Sequence, residues 1–249
     1  MTVSGIVLTH NSEVTIARAL ESLSGLIDEL IVIDDFSSDQ TLELVKSVYP
    51  TAVIYERKLN DDFAAQRNFA LSKAAYDWVL MTDSDEEVTP ELAQEIRAVL
   101  AKPQYNAYIS RRDNQVFESY YPNDSGRPIL LKRTLIFTGK IHENIQNTTI
   151  GRLRQPLLHH SWQGCDDWLR DIHRYARWRA LHWIDQGRRY SLPYLGIRAM
   201  GSFGFFFLKS YFVEGKWRGG IAGFLYAFAC ASEWVFSALF YWEESQKRS

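Results

Sequence analysis

Two carboxylates one residue apart close an apolar run: Trp78-Val79-Leu80-Met81-Thr82 is followed by Asp83-Ser84-Asp85. Read as a strand, the run belongs in a sheet, with the aspartates at its C-terminal end. Side chains alternate in extended chain, so Asp83 and Asp85 point the same way if strand geometry continues. Paired carboxylates can hold a divalent cation, and a cation so held can take phosphate oxygens. The same tripeptide can also be a polar turn ahead of a helix that Thr89 caps, Pro90 opens and Glu91 favours at its positive end. A calcium loop of EF-hand type fits poorly, because Val88 stands where that loop requires its turn glycine.

Alternating strands and helices lead up to this point. Gly5-Ile6-Val7-Leu8 reads as a buried strand closing on Thr9-His10-Asn11-Ser12, with a helix over 13–23 capped by Asn11 or Ser12. Leu30-Ile31-Val32-Ile33 ends in Asp34-Asp35-Phe36-Ser37-Ser38-Asp39, and Ser38 can cap a helix running to Tyr49. A third strand over 52–55, a helix over 63–75, the strand at Trp78 and a helix over 90–100 complete the series. The alternation predicts an α/β fold, a mostly parallel sheet flanked by helices. Such sheets bind ligands beyond the C-terminal ends of their strands. Three polar clusters fall at those ends: 9–12, 34–37 and 83–85. The first turn lacks Gly-x-Gly-x-x-Gly, so phosphate must be handled otherwise than in a dinucleotide fold, and a cation on the aspartates would serve.

Four motifs in this order resemble the inverting nucleotide-sugar glycosyltransferases of family 2, whose fold is called GT-A. Thr9-His10-Asn11-Ser12-Glu13 looks like the family's first-strand exit. Asp34-Asp35-Phe36-Ser37-Ser38-Asp39-Gln40-Thr41 resembles its second-strand signature, with Phe36 where glycine or asparagine is more usual. Ala65-Gln66-Arg67-Asn68-Phe69-Ala70 looks like its Arg-Asn helix, and Asp83-Ser84-Asp85 matches its Asp-x-Asp position. Further on, Phe137-Thr138-Gly139-Lys140-Ile141-His142-Glu143 and His159-His160-Ser161-Trp162 are similar to a branch holding bacterial lipopolysaccharide-core β-1,4-glucosyltransferases.

The resemblance implies roles. Asp35 would accept from the imide N–H of a uracil-like base, with Thr9, Asn11 and Glu13 around the donor. Arg67 would lie near the donor phosphates or sugar, and Asn68 would support a loop. Asp85 would be the main ligand of Mg²⁺ or Mn²⁺, with Asp83 on the metal, ribose or sugar. Direct displacement at the anomeric carbon needs a general base, for which Glu143 is the candidate. His142 would orient acceptor or donor phosphate, and His160 would bring an imidazole to the metal or pyrophosphate. Each has a structural alternative: a helix cap for Asp35, a solvated charge for Arg67 and Glu143, a hydrogen-bonded core position for the histidines.

With 249 residues and 46% hydrophobic composition, the chain can bury a core and is not disordered. Its net charge of -2 hides an uneven distribution: from Arg152 to Arg218 there are twelve Lys and Arg against five Asp and Glu. Mixed with aromatic residues, that surplus suits an anionic membrane surface. No nucleic-acid module accompanies it. Two cysteines, Cys165 and Cys230, make neither a disulfide framework nor a zinc spacing, and the N-terminus shows no signal-peptide pattern, which suggests a reducing compartment.

Residues 168–183 read as an amphipathic helix with Leu169, Ile172, Ala176, Ala180 and Trp183 on its apolar stripe. The run 219–242 is long enough to span a bilayer, yet Glu233 sits well inside it, a cost of about 2.5–3.5 kcal/mol at a helix centre. Interfacial helices are therefore preferred, with a span or a homodimer seam as alternatives.

The expected organisation is a GT-A nucleotide-sugar-binding and catalytic domain over 1–160 and a helical, membrane-interfacial region over 161–249. The expected activity is metal-dependent transfer of a hexose, glucose from UDP-glucose, to a lipid-linked glycan such as the lipopolysaccharide inner core. The place would be the cytoplasmic face of a bacterial inner membrane. Alternatives are a polyprenyl phosphate or protein acceptor, a nucleotidyltransferase, or a non-catalytic sugar-nucleotide-binding or membrane scaffold protein.

Overall fold

In the computed structural model, residues 1–60, 62–116, 118–123, 126–139, 144–162 and 164–247 are described. The chain opens as β1 (Val3–Thr9), α1 (Ile16–Ser22), β2 (Glu29–Asp34), α2 (Thr41–Val48), β3 (Val53–Glu56), α3 (Phe63–Lys73) and β4 (Trp78–Asp83). It continues with β5 (Glu86–Val88), α4 (Pro90–Ala101), β6 (Ala107–Ile109), β7 (Arg112–Val116), β8 (Ser119–Asn123) and β9 (Pro128–Lys132). Short strands β10 (Phe137–Thr138), β11 (Asn144–Ile145) and β12 (Ile150–Arg152) precede β13 (Leu157–Trp162). Helices α5 (Cys165–Asp185), α6 (Leu192–Leu208) and α7 (Gly220–Lys247) finish the chain. It divides into two compact units, Met1–Asn114 with Pro122–His160, and Gln115–Tyr121 with Ser161–Ser249.

The main sheet of the first unit has the order β12-β6-β9-β4-β1-β2-β3. β1 pairs in parallel with β2 and β4, and β2 in parallel with β3. β9 runs antiparallel to β4 and β6, so the sheet is mixed there. Alternation sorts the apolar residues onto two faces. Val3, Val7, Leu30, Val32, Trp78 and Leu80 pack with α1, α2 and α4 through Ile16, Leu20, Val45, Leu92 and Ile96. Ile6, Leu8, Ile31, Ile33, Val79 and Met81 pack with α3 through Ala64, Ala70 and Leu71.

The predicted helix at 13–23 begins later, at Ile16, with neither Asn11 nor Ser12 at its cap. Ser12 instead accepts the Thr15 and Ile16 N–H groups through its carbonyl, while Asn11 turns through a left-handed conformation at φ 46°. α2 likewise begins at Thr41 rather than after Ser38. The Asp-Ser-Asp segment leads neither onward in β4 nor straight into a helix. It turns the chain into β5, and Thr89 then caps α4 by accepting from Leu92 N–H at 3.1 Å.

In the second unit, α7 packs against both α5 and α6. Small residues line these seams, Ala176 and Ala180 on α5 and Ala227 and Ala231 on α7, which lets the backbones approach. Leu169, expected on the apolar stripe of α5, is half exposed, whereas Ile172, Ala176, Ala180 and Trp183 are buried. Glu233 is matched by Arg179 at 2.6 Å, and the Arg179 guanidinium also lies over the Trp234 ring. Among the described residues one helical stretch, Lys216–Lys247, is long and apolar enough to cross a membrane.

Candidate active site

Adjacent strands bring the three polar exits together. Thr9 pairs with Asp34 across β1 and β2, and Leu8 pairs with Asp83 across β1 and β4. Only β1 separates the Asp35 and Asp83 exits, about 10 Å at the usual spacing between neighbouring strands. Hydroxyl groups fasten these exits: Ser12 Oγ lies 2.7 Å from Ser84 Oγ, and Ser12 N–H donates to Thr41 Oγ1 at 2.7 Å. Ser84 N–H donates to Leu8 O at 3.0 Å and Asp35 N–H to Thr9 O at 2.9 Å. The Thr9 hydroxyl is buried without a partner among the described residues.

Asn11 and Glu13 act in this framework as fasteners. Asn11 donates its N–H to Ser37 Oγ at 2.9 Å and accepts Ser38 N–H at 2.8 Å. Glu13 accepts Gln40 N–H at 3.1 Å and donates its own N–H to Asp39 at 3.1 Å. Asp34, fully buried, accepts both the N–H (2.8 Å) and the hydroxyl (2.5 Å) of Ser37. That turn frees Asp35 to face outward: its Oδ1 accepts Leu59 N–H at 2.9 Å, and its Oδ2 has no partner among the described residues. Phe36 follows at φ 56°, which explains why glycine or asparagine suits this position better. Such a conformation costs a bulky residue about 1–3 kcal/mol.

At the β4 exit both oxygens of Asp83 meet guanidinium groups, Arg67 Nη2 at 3.2 Å on Oδ1 and Arg127 Nη2 at 3.2 Å on Oδ2. Arg67 is itself buried on α3. Arg127 also bonds Glu86, whose side chain is 0% exposed and whose other oxygen lies 3.6 Å from Arg112 Nη1. Glu86 in turn accepts Asp83 N–H at 2.9 Å. Burial alone would raise the Asp83 carboxyl; Arg127, Arg67 and Arg112 outweigh it and hold the group well below the usual carboxylate range. Burial pushes Glu86 up, Arg127 offsets part of this, and the Asp83 charge adds to it. Three guanidinium groups around two carboxylates leave a local positive surplus, which suits phosphate.

The turn sends Asp85 elsewhere than Asp83, against the expectation that the two point the same way. Asp85 is 40% exposed, and its Oδ2 lies 3.2 Å from His159 Nε2, while His159 Nδ1 lies 3.0 Å from Asn114 Oδ1. His160 was the expected histidine here, but its ring is buried, with Nε2 2.8 Å from Glu87 and Nδ1 3.0 Å from Arg18. Desolvation, reinforced by Arg18, lowers the His160 pKa against the pull of Glu87. Strand alternation explains the exchange: β13 pairs with β5 so that His159 sits opposite Glu86, and its neighbour faces the other way.

Asn68 braces a loop as expected, donating to Phe137 O at 2.9 Å and accepting Phe137 N–H at 2.8 Å. His142 and Glu143 lie outside the described residues. Among the described residues no group of three or more His, Cys, Asp or Glu side chains is placed to hold a metal ion. Asp85 Oδ1 has no partner among the described residues, however, and one carboxylate plus substrate phosphates is an ordinary donor set for Mg²⁺. With the His159 imidazole alongside, the set also suits Mn²⁺.

The family described as "Glycosyl transferase family 2" matches residues 4–165, which include every one of these positions. The chain belongs to this family. An uncharacterized glycosyltransferase of Rickettsia typhi is 28% identical to this family 2 glycosyltransferase over 250 residues, covering 91% of the chain and 83% of its own. The lipopolysaccharide core biosynthesis glycosyltransferase LpsC of Rhizobium meliloti is 26% identical over 241 residues, covering 90% and 86%. The crystal structure of S. aureus TarS 1–349 in complex with UDP superposes with a TM-score of 0.50 at 18% identity, covering 99% of the chain and 92% of TarS 1–349. The fold of this glycosyltransferase is of GT-A type.

Motif reading passed over Glu86, Arg112 and Arg127, and it included His159 in a motif without giving it a role. Glu86 carried a signal, a charged residue sharing the inward face of β5 with Val88. It is readable only once 86–88 is known to be a strand.

Proposed function

We propose that this glycosyltransferase moves glucose from UDP-glucose, with inversion, to a lipid-linked cell-envelope glycan such as the lipopolysaccharide inner core. The observation that carries the proposal is the line of strand exits running from the open oxygen of Asp35 to the Arg67, Arg127 and Asp85 cluster. About 10 Å of strand spacing suits a nucleoside at one end and a diphosphate at the other. The likeness to LpsC supports the class of acceptor.

In this reading Asp35 accepts the imide N–H of the base, and Thr9 lies beneath the nucleoside at the neighbouring strand exit. Asn11 and Glu13 keep the exit loops in place. Arg67 and Arg127, oriented by Asp83, oppose the charge of the diphosphate. Asp85 and His159 would hold Mg²⁺ or Mn²⁺, which when bound supplies positive charge that stabilises the departing nucleoside diphosphate. Glu143 takes the proton of the acceptor hydroxyl as its oxygen bonds to the anomeric carbon and the bond to the diphosphate breaks. His142 orients the acceptor or donor phosphate.

The helical unit would lie on the cytoplasmic face of the inner membrane. Phe205, Leu208, Phe212, Val213 and Ile221 are exposed around the α6–α7 connection, and exposed Lys209 and Arg218 flank them. Glu214 pairs with Lys209 at 3.6 Å, and exposed apolar side chains with a cation at each flank suit an anionic lipid interface.

The test is thermal stability with UDP-, GDP- and ADP-sugars, with and without Mn²⁺, followed by turnover of Glu143→Gln. Selective stabilisation by UDP-glucose that grows with Mn²⁺, and a variant that keeps binding but loses turnover, are expected. Binding indifferent to the cation would remove the role given to Asp85. A Glu143→Gln variant with full turnover would remove the base.

A further inference from the structure

Phe36 is an aromatic residue held in a conformation that its own type disfavours, and its ring is 55% exposed. The turn around it is over-determined by the Asp34–Ser37, Asn11–Ser37 and Ser38–Asn11 hydrogen bonds. Glycine or asparagine would occupy the same backbone with less strain. No aromatic ring or cation packs on Phe36 among the described residues. Contact with another ring or a cation therefore does not account for a phenyl ring here. Its neighbour Asp35 keeps one carboxylate oxygen open at the same turn.

A flat apolar surface next to a fixed hydrogen-bond acceptor matches one kind of ligand well: a planar heterocycle carrying an N–H donor. We propose that Phe36 is a specificity-determining residue whose ring stacks on the nucleobase of the donor while Asp35 accepts its imide N–H. This rests on the nucleotide-sugar reading above and adds to it the group that grips the face of the base. Backbone strain at this turn is then retained because it presents the ring, as strained residues at binding sites commonly do. Stacking depends on the π-face, so tryptophan should replace phenylalanine and asparagine should not.

The experiment measures UDP and inorganic pyrophosphate binding by calorimetry, with the melting temperature, for the full chain and for Phe36→Asn and Phe36→Trp. Phe36→Asn is expected to weaken UDP binding tenfold or more, to leave pyrophosphate binding unchanged, and to keep or raise the melting temperature. Phe36→Trp should bind UDP within about threefold of the parent, under half of the 1.4 kcal/mol that a decade represents. Phe36→Asn binding UDP as the parent does would overturn the proposal, and so would equal losses for UDP and pyrophosphate. Unchanged UDP affinity with a raised KM for the sugar acceptor would assign the ring to the acceptor and overturn it too. A parent protein that binds no UDP would defeat the nucleotide-sugar reading itself, a result distinct from all of these.

Discussion

Replacing Arg127 with methionine tests whether the paired charges at the β4 exit hold the site together. Arg127 serves Asp83 at 3.2 Å and is the nearer cation to Glu86, whose side chain has no exposure; the other, Arg112, is 3.6 Å away. Removing one partner of a buried ion pair costs about 3–5 kcal/mol, because the remaining charge stays out of water. For a protein of this size, 1 kcal/mol moves the melting temperature by about 2–4 °C, so the expected loss is about 6–20 °C at pH 8. The cost must depend on pH. Burial already raises the Glu86 pKa in the fold, and losing Arg127 raises it further. A folded pKa above the unfolded value favours the fold below the unfolded pKa and loses that benefit as pH rises through the folded one. Acidification from pH 8 toward pH 5 should therefore return stability to Arg127→Met relative to the parent. The return is up to about 1.4 kcal/mol per pH unit while Glu86 is taking up its proton. Asp83 keeps Arg67 and is partly exposed, so its share is smaller. Melting curves of the parent, Arg127→Met, Glu86→Gln and the double variant at several pH values give the coupling directly. Equal pH slopes in parent and Arg127→Met, or no rescue by Glu86→Gln, would refute the reasoning.

Two further outcomes follow from the geometry. His159→Ala should reduce the extra stabilisation that Mn²⁺ adds to UDP while barely changing the free protein. His160→Ala should cost the free protein about 1–3 kcal/mol through the stranded Glu87 and Arg18 groups and leave the Mn²⁺ increment intact. The reverse pattern, read by thermal shift, would exchange the two assignments. Converting both Phe212 and Val213, which are 58% and 80% exposed, to aspartate should abolish sedimentation with anionic vesicles while moving stability by no more than about 1 kcal/mol. Retained sedimentation would argue against a membrane role for that surface.

The parallel half of the sheet was legible because Gly5–Leu8, Leu30–Ile33 and Trp78–Met81 are uninterrupted apolar runs, as strands covered on both faces require. The antiparallel β9 contains the apolar run Ile129-Leu130-Leu131, but it is flanked by polar residues in the region 111–140, and its antiparallel place is set by pairing with β4 and β6 on either side. Asp35 and Arg67 could be found because each lies within a local motif. Arg127 and Glu86 could not, since a 41-residue separation is closed only by the sheet. That His159 rather than His160 lies beside Asp85 follows from strand register, a property of pairing rather than of the residues themselves.

The hydroxyl contact between Ser12 and Ser84 has a kinetic and entropic side. Because neutral groups, backed by main-chain bonds, already lash the first and fourth strands together, the diphosphate of the proposed donor would meet groups whose freedom was surrendered during folding. Little of the affinity for the ligand need be diverted to ordering these loops. Cutting that contact with Ser84→Ala should therefore appear as slower, weaker capture of nucleotide before it appears as instability.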